Sequence, residues 1–498
     1  MLAATILGSS MAFIDSTVVN VALAALQSSF HATVVDVQWV VESYGLFLSA
    51  LILVGGALGD SLGRRAMFLL GIVVFGVASA GCGLSSNIRD LVIWRGVQGV
   101  AAAFLVPGSL AIISASFDEK SRGRAIGTWS GFTAITMALG PVLGGWLIEH
   151  ASWHWVFFIN LPLAALVVVL TLWHVPESRS PNARQVDWLG AVTATFGLAA
   201  LVYGLLESAA VGWNHLRVYG TLISGFLFTA LFVLVERRVR TPMVPLDLFK
   251  SSSFRGANLL TLLLYAALGA FFFLFPLNLI QVQKYSATKT GAASLPMIFL
   301  IFFLSRWSGG LIARYGSKAP LIIGPLIVGA GFTLFAMRSV STSYWSGPFP
   351  AFLLLGFGLA ISVAPLTTVV MSSVGQDRAG TASGINNAVA RVAGVLAVAV
   401  LGIVMVAIFA RSLRASLTML RLESPVVHDL ESNVSRLGGL DAPANLTPET
   451  TAEVRGAITR AFVFGFRTIM LVCAGLAIAG ATVAWRMIPA RGASDTAT

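Results

Sequence analysis

Long apolar segments recur along the chain and are separated by short polar connectors. Each segment runs for roughly 18 to 25 residues, enough for a helix rising 1.5 Å per residue to cross about 30 Å of hydrocarbon. About fourteen such segments predict an all-α integral membrane protein. The predicted spans are 3–26, 38–59, 66–84, 90–115, 124–148, 155–174, 187–208, 217–236, 256–280, 290–313, 320–337, 346–371, 381–410 and 458–486.

The composition argues against a soluble catalytic domain. Of the 498 residues, 57% are hydrophobic and 11% are charged, whereas soluble domains carry about 25% charged residues. No polar stretch exceeds about fifty residues, which leaves no room for an appended enzyme domain. The first apolar segment carries Asp15 and Asn20 and lacks a basic leading region. It is therefore predicted to be a retained helix and not a signal peptide.

Basic residues are distributed unequally between the predicted loops. With a cytoplasmic N-terminus, the inward loops carry fifteen Lys and Arg residues and the short outward loops carry five. Cytoplasmic loops of membrane proteins are enriched in these residues. Topology therefore accounts for the net charge of +11, and nucleic-acid binding is not expected. The pattern predicts a multi-pass protein of the inner (plasma) membrane with both termini in the cytoplasm.

The two halves of the chain contain similar segments. The segment 56–65, after the second span, has a counterpart at 309–318, after the tenth span. Glycine, leucine, glycine and a final basic residue coincide between the two segments. Duplicated bundles around a central cavity are a common construction of secondary transporters. The similarity predicts two six-helix bundles of the same topology, with two further spans inserted between them.

The predicted organisation has three parts. Residues 1–175 form an N-terminal six-helix bundle, and residues 176–255 hold the two inserted spans with cytoplasmic linkers. Residues 256–498 form a C-terminal six-helix bundle that includes an outward loop at 411–460. Part of this loop is expected to be helical, because the Thr-Pro pair at 447–448 is typical of a helix start.

Glycines and charged residues in the loop at 56–65 point to a conformational role. Glycine lets two helix ends approach closely, and a carboxylate can pair with a base or cap a helix end. The loop resembles the signature loop between spans two and three of the major facilitator superfamily. The resemblance implies a latch between the two bundles in the outward-facing state, and a tight turn with orientation-setting arginines is the alternative. The latch residues are Gly56, Asp60, Gly63, Arg64 and Arg65.

Two further spans resemble motifs of the same superfamily. The fourth span contains Arg95, and an arginine within a span costs roughly 2.5 to 3.5 kcal/mol on insertion scales, so it is expected to face the bundle interior and to have a partner. The fifth span resembles the motif that marks antiporters, and its small residues and proline permit close packing and bending. The antiporter-motif residues are Gly131, Gly140, Pro141, Gly144 and Gly145.

Three segments narrow the resemblance to one branch of the superfamily. Segments 13–22, 153–162 and 382–387 are similar to segments of the fourteen-span drug:proton antiporters. The resemblance covers essentially the whole chain. It implies the major-facilitator fold and an exporter that exchanges small amphipathic compounds, such as drugs or antibiotics, for protons by alternating access. Its expected partners are that substrate, protons and membrane lipid, and the proton gradient takes the place of any cofactor.

Three ionisable residues inside predicted spans are candidates for proton coupling. From the rise of a helix, Asp15 lies about 18 Å into its span, while Glu42 and Arg95 lie one to two turns from the outer ends of theirs, so all three are expected in one layer. Burial favours a neutral carboxyl and a nearby arginine favours the carboxylate, so bundle motion can load or release a proton. Asp15 is expected in a dry crevice between the halves. A structural hydrogen bond is the alternative for Asp15, and an interfacial carboxylate is the alternative for Glu42.

Further polar residues inside the spans are candidates for substrate binding. Three of them are asparagines, whose amides can form hydrogen bonds, and the other two are arginines in the second half of the chain. The asparagines can equally bond across helices, and the arginines can pair with backbone carbonyls. The candidates are Asn20, Asn386, Asn387, Arg391 and Arg306.

Other classes of function have less support in the sequence. The six histidines show no metal-ligand spacing, and there is no nucleophile elbow or phosphate-binding loop, so neither an enzyme nor an ATP-driven pump is expected, and no metal site. No filter-like pore loop repeats across the halves, which argues against a channel. A facilitator or importer of an endogenous metabolite with the same fold is the alternative within transport, because fold does not determine substrate. The sequence does not indicate an oligomeric state.

Overall fold

Helices form almost the whole of the described chain. The computed structural model describes residues 1–117, 119–179, 186–337, 343–374, 378–420, 422, 424–443 and 446–489, and for some helical residues within these ranges it describes the backbone alone. No β-strand occurs in these ranges. The prediction of an all-α protein is therefore confirmed.

The helices follow one another along the chain in three groups. The N-terminal part contains α1 (Leu2–Ser29), α2 (Val34–Leu62), α3 (Arg64–Gly83), α4 (Ile88–Ser116), α5 (Glu119–His150), α6 (Trp155–Phe158) and α7 (Asn160–His174). The inserted pair is α8 (Trp188–Val211) and α9 (Leu216–Arg238). The C-terminal part contains α10 (Ser252–Leu277), α11 (Ala287–Ala293), α12 (Leu295–Tyr315), α13 (Lys318–Met337), α14 (Pro348–Ser372), α15 (Ala379–Met419), α16 (Ser424–Ser432) and α17 (Pro448–Met487).

The long helices match the apolar segments read from the sequence. In the described residues, 13 helical segments are long and apolar enough to cross a membrane. Helix α5, of 32 residues, lies at the remaining predicted span. Two boundaries differ most, since α15 continues to Met419 and α17 begins at Pro448, whereas the predicted spans end at 410 and begin at 458. Hydropathy reports where the chain leaves the hydrocarbon, but a helix continues into water as long as its backbone bonds are made.

Side-chain caps determine where several helices begin. The Thr33 hydroxyl accepts from the Asp36 N–H (3.2 Å), and the Asp36 carboxylate accepts from the Thr33 N–H (2.8 Å), which is a capping box at the start of α2. Asn87 caps α4 in a similar way. Thr447 accepts from the Thr450 N–H at the start of α17. The helix start predicted within the outward loop is therefore confirmed.

Small residues bring helices of the N-terminal part into close contact. A Cβ added at Gly55 of α2 would lie 2.1 Å from the Ala103 carbonyl oxygen of α4, and one at Gly99 of α4 would lie 2.4 Å from the Tyr44 carbonyl oxygen of α2. Backbones that approach this closely leave no room for a side chain. The α2–α4 pair is thus packed tightly, and it places Arg95, one turn before Gly99, beside α2.

A cluster of phenylalanines forms the core of the C-terminal part. Phe271 of α10 is fully buried, and its ring centroid lies 5.0 Å from Phe275, 5.1 Å from Phe335 and 5.7 Å from Phe332. Aromatic rings in offset or edge-to-face pairs at these distances stabilise the fold by more than the burial of their apolar surface alone. This core ties α10 to α13.

The inserted pair packs against the seam between the two halves. Val202 and Leu206 of α8 are buried in a cluster with Leu46 of α2 and with Val395 and Ala399 of α15. Helix α8 therefore contacts both halves at once.

Candidate functional site

Asp15 lies at the centre of a buried polar network. Its side chain, in the middle of α1, is 0% exposed. Arg95 forms an ion pair with Asp15 through Nη1 and Oδ2. Asp15 Oδ1 accepts a bond from Gln98 Nε2 (3.2 Å) and another from Asn160 Nδ2 (3.2 Å). One carboxylate thus joins α1, α4 and α7.

The arginine of this network is held in place by several partners. Arg95 Nη1 also donates to Gln98 Oε1 (2.8 Å), and its Nε donates to the Val40 carbonyl oxygen (3.0 Å). The guanidinium carbon lies 4.3 Å from the centroid of the Tyr44 ring. Tyr44 in turn donates to the Ala12 carbonyl oxygen (3.2 Å). A buried charge pair persists only with good geometry and further hydrogen bonds, and this one has both.

Ser79 of α3 completes the network. It accepts from Gln98 Nε2 (2.7 Å) and from Asn160 Nδ2 (3.3 Å). The local sequence explains why these side chains converge, because Gln98 follows Arg95 by three residues and therefore shares its face of α4. The partner that Arg95 was expected to have is thus Asp15.

The expectation that Asp15 lines a crevice between the halves needs correction. The side-chain bonds to its carboxylate come from α4 and α7, which are both in the N-terminal part. Asp15 is wholly enclosed in this conformation. The physical reason is desolvation, because a charge pair inside the membrane is least costly where other polar groups can surround it.

Glu42 does not join the Asp15 network. Its side chain is 1% exposed, and neither carboxyl oxygen has a hydrogen-bond partner among the described residues. Glu42 shares a face of α2 with Trp39 and Leu46, which pack in the cluster between α2, α8 and α15. Because Val40 and Tyr44 on either side of it contact Arg95, Glu42 is level with the network, but it is buried separately on another face of α2. This burial does not fit the interfacial carboxylate that was the alternative.

The candidates for substrate binding lie in different surroundings. Asn20 donates to the Ser16 carbonyl oxygen (3.2 Å) on its own helix. Asn386 donates across helices to Thr261 Oγ1 (2.7 Å) and Asn258 Oδ1 (3.2 Å), which is the structural role weighed as its alternative. The Arg306 side chain lies outside the described residues.

The remaining two candidates, Asn387 and Arg391, also lie on α15, but among the described residues they do not bond across helices in the way that Asn386 does. Asn387 is exposed and donates to the Ser383 carbonyl oxygen (3.0 Å). Arg391 is half-buried and lies within electrostatic range of the hydroxyls of Tyr265 and Tyr44. Because Tyr44 stacks on Arg95, it lies between the buried network and an arginine of the other half.

Two of the residues predicted to form a latch, Asp60 and Arg64, pair with each other. Arg64 donates from Nε (2.9 Å) and Nη2 (2.7 Å) to Asp60 Oδ1. Gly63 has a φ of +128°, a conformation that L side chains rarely adopt, so glycine is needed at this turn. Gly56 faces Pro107, whose Cβ a side chain there would meet at 3.5 Å. All of these contacts lie within the N-terminal part.

Glu177, which follows α7, caps the start of α3. Its carboxylate accepts from the N–H groups of Arg65 and Ala66 (both 3.1 Å) and of Ser178 (3.0 Å). Sequence reasoning did not identify this role, because a cap supplied 112 residues later leaves no local pattern. A carboxylate at a helix N-terminus bonds free N–H groups and favours the helix dipole.

A Glu177→Ala variant is expected to be less stable by about 1 kcal/mol, because three N–H groups lose their acceptor. Thermal unfolding of the purified protein in detergent measures the effect. Glu453→Ala, which removes an exposed glutamate from α17, is the matched control and is expected to melt like the wild type. Equal melting of the two variants would contradict the capping role.

Helix α5 packs between the two halves through the residues of the antiporter motif. A Cβ at Gly140 would lie 2.1 Å from Thr17 Oγ1 of α1, and one at Gly144 would lie 3.2 Å from Val18 Cγ1 of α1. On the other side, a Cβ at Gly145 would lie 2.3 Å from the Ala287 carbonyl oxygen of α11. The surroundings of Gly131 lie outside the described residues.

Pro141 and Glu149 complete the contact between α5 and α11. A Cβ at Gly291 would lie 2.0 Å from the Pro141 carbonyl oxygen. At the C-terminal end of α5, Glu149 accepts from the Thr288 N–H (2.9 Å) and hydroxyl (2.6 Å). Small residues therefore allow these ends of the two halves to meet backbone to backbone.

Side-chain hydrogen bonds join the two halves at the end of the bundle where α1 finishes and α2 begins. Gln38 donates to the Val398 carbonyl oxygen (3.0 Å), and Gln281 donates to Gln27 Oε1 (2.8 Å). Neither the Arg64–Asp60 pair nor the Arg378–Asp247 pair joins the N-terminal part to the C-terminal part. In this conformation the two halves are in contact at the end of the bundle where α1 finishes and α2 begins.

No metal site is found in the described parts of the chain, where no three His, Cys, Asp or Glu side chains converge on one point. Both cysteines are buried as free thiols. The chemistry that the arrangement offers is the binding and release of a proton at a carboxyl group with an arginine as its charged partner.

Sequence and structure comparisons give one consistent family. The model described as Major Facilitator Superfamily matches residues 5–398. The multidrug resistance protein Stp of Mycobacterium tuberculosis is 33% identical over 98% of this chain and 91% of its own length. The tetracenomycin C resistance and export protein of Streptomyces glaucescens is 34% identical over 81% of this chain and 75% of its own length.

Solved structures of low sequence identity share the fold. A bacterial homologue of the human lysosomal transporter Spinster, in an inward-facing and unoccupied conformation, has a TM-score of 0.65 with 14% identity, and 97% of each chain is covered. A D-xylose–proton symporter has a TM-score of 0.62 with 14% identity, covering 98% of this chain and 97% of its own. The chain is therefore a transporter and not an enzyme, and it belongs to the major facilitator superfamily.

Proposed function

We propose that this protein exports small amphipathic compounds such as drugs or antibiotics from the cytoplasm across the plasma membrane, in exchange for protons. The observation that carries the proposal is the buried Asp15–Arg95 pair inside a transporter fold. An ionisable pair within the membrane is costly and marks a functional pathway. Relatives that match most of this chain are named for antibiotic resistance and export, which supports the choice of cargo.

The protonation cycle follows from the partners of Asp15. In the outward-closed conformation the Asp15 carboxylate is paired with Arg95 while the cytoplasmic side admits cargo. Motion that separates α1 from α4 takes the arginine away, and the buried carboxyl is then stable only as the neutral acid. Asp15 would take up this proton from outside. When the Asp15–Arg95 pair forms again, the proton would be released into the cytoplasm, which completes the cycle.

Tyr44 offers a route by which cargo and proton compete. It stacks on Arg95 and lies within range of Arg391 on the facing half. A substrate between the halves that displaces Tyr44 would also disturb Arg95, and therefore the charge state of Asp15. Glu42 is a second acid for the cycle, because a buried carboxyl at the seam with α8 and α15 changes its surroundings when the halves move.

Protons supply enough energy for export against a gradient. Each proton moved inward yields about 2.3 kcal/mol per 100 mV of membrane potential, before any pH difference is added. The orientation proposed, with both termini in the cytoplasm, puts the latch loop at the cytoplasmic side and the closed ends of α5 and α11 at the outer side.

Purified protein in liposomes with an imposed pH gradient tests the proposal. The probes are ethidium, as a lipophilic cation, and a neutral antibiotic such as puromycin, while a trapped dye records internal pH. Substrate addition is expected to release protons down their gradient, and substrate is expected to accumulate against its own. Equal substrate movement with and without the pH gradient would identify a facilitator and overturn proton coupling.

A further inference from the structure

A cavity lies at the outer mouth of the protein, away from Asp15. Its volume is 580 Å³. The end of α1 lines one side, and the segment after α10, the loop before α17 and the first turns of α17 line the others. Behind it, Gln27 of α1 donates to the Arg436 carbonyl oxygen (3.0 Å) and accepts from Gln281 (2.8 Å). Residues of both halves therefore line the cavity.

The charges in the cavity are unbalanced. Lys284, Arg436, Arg455 and His31 line it, and Asp441 is the carboxylate among the lining residues. None of these five side chains forms an ion pair within the described part of the chain. Arg436 Nε is buried and has no hydrogen-bond partner there. An acceptor that enters the cavity would supply the partner that a buried donor normally has.

Unusual backbone geometry is concentrated at the same place. Among the described residues, the non-glycine residues with positive φ are His31 (50°), Lys284 (57°) and Leu437 (52°). The first two line the cavity, and the third lies between Arg436 and Gly438, which also line it. Such conformations cost about 1 to 3 kcal/mol each and cluster at ligand sites. Here they occur at His31, at Lys284 and in the loop backbone beside Arg436, which surround one space.

We propose that this outer cavity binds a phosphate-type oxyanion that carries an organic group. Three permanent positive charges face one negative charge, and arginines bind phosphate through paired N–H bonds. The volume falls in the range of about 300 to 1,000 Å³ typical of small-molecule sites, far more than a bare ion needs. Ala24, Ile280 and Ile458 give the cavity an apolar side for the organic group.

Binding at this site is coupled to the state of the transporter, a consequence that rests on the proposed alternating access. The cavity exists only while α1 and the outer segments of the C-terminal half are together. A ligand that binds one conformation shifts the population toward it. The oxyanion therefore stabilises the outward-closed conformation and slows reopening to the outside.

Direct binding to the purified full-length protein tests the site. Glycerol 3-phosphate is titrated calorimetrically at low salt, and native mass spectrometry counts phosphatidylglycerol molecules retained from mixed micelles. The Lys284→Gln/Arg455→Gln variant changes two exposed side chains, so folding is expected to be normal. Loss of two charge-assisted contacts is expected to weaken binding about tenfold or more.

The matched control removes two charges from the same outer face. Arg411→Gln/Arg460→Gln changes exposed arginines that do not line the cavity, and it is expected to bind like the wild type. Cavity-dependent binding of glycerol 3-phosphate identifies a soluble ester, and cavity-dependent retention of phosphatidylglycerol alone identifies a lipid headgroup. Equal binding by both double variants, or no binding of either probe to the wild type, overturns the proposal. Drug-driven proton flux is measured separately, so failure of the site is distinguishable from failure of proton-coupled export.

Discussion

An Asp15→Asn variant is expected to lose substrate-driven proton flux by about a hundredfold or more, because an amide cannot carry the proton that the carboxylate exchanges. The fold is expected to survive with reduced stability. Asparagine keeps the shape of the side chain and can still bond Gln98 and Asn160, but Arg95 then lies buried without its counter-charge. Breaking one side of a buried pair costs about 3 to 5 kcal/mol.

A second variant separates the coupling role of Asp15 from a structural one. In Asp15→Asn/Arg95→Met both charges of the pair are absent, so thermal stability is expected to recover much of the loss. Proton flux is expected to stay low, because no ionisable group has been restored. Recovery of proton-coupled transport in this double variant would show that Asp15 serves only as a structural partner of Arg95.

A Gly145→Val variant is expected to prevent the outer ends of the two halves from closing and to reduce transport by about tenfold or more. Its Cβ would lie 2.3 Å from a backbone oxygen of α11. A flexible side chain could move away from such a contact, but a helix backbone can do so only if the whole helix shifts. Overpacking of this kind costs about 1 to 3 kcal/mol, which is enough to shift a conformational equilibrium at least fivefold. The clash exists only in the outward-closed state, so the outward-open state gains population.

Cysteine cross-linking across the outer closure measures this shift. Cysteines replacing Glu149 and Thr288, which bond each other, are expected to cross-link rapidly in the wild-type background and slowly beside Gly145→Val. Gly220→Val on α9 is the control, since a Cβ there meets nothing within 4 Å. Unchanged cross-linking with Gly145→Val would show that the α5–α11 contact does not govern closure.

Part of the candidate site was visible in the sequence for a definite reason. A charged residue in an apolar run is conspicuous, and the rise of a helix gives its depth, so Asp15 and Arg95 stood out without a structure. Gln98 and Asn160 were in segments already singled out, but an amide inside a span carries no indication of its partner. Ser79 and Tyr44 were still harder to identify from the sequence, because hydroxyl groups are common in membrane helices.

The number, order and approximate span of the helices follow from the sequence alone, because crossing hydrocarbon requires a long run of apolar residues whatever their neighbours are. The presence of an acid and an arginine within those runs follows in the same way. Which of them meet was decided by tertiary packing. Asp15 faces the interior of its own bundle and Glu42 the seam with α8 and α15, since a helix face is defined only by what packs against it. The outer cationic cavity joins residues more than 400 positions apart, a proximity that no local pattern of a sequence encodes.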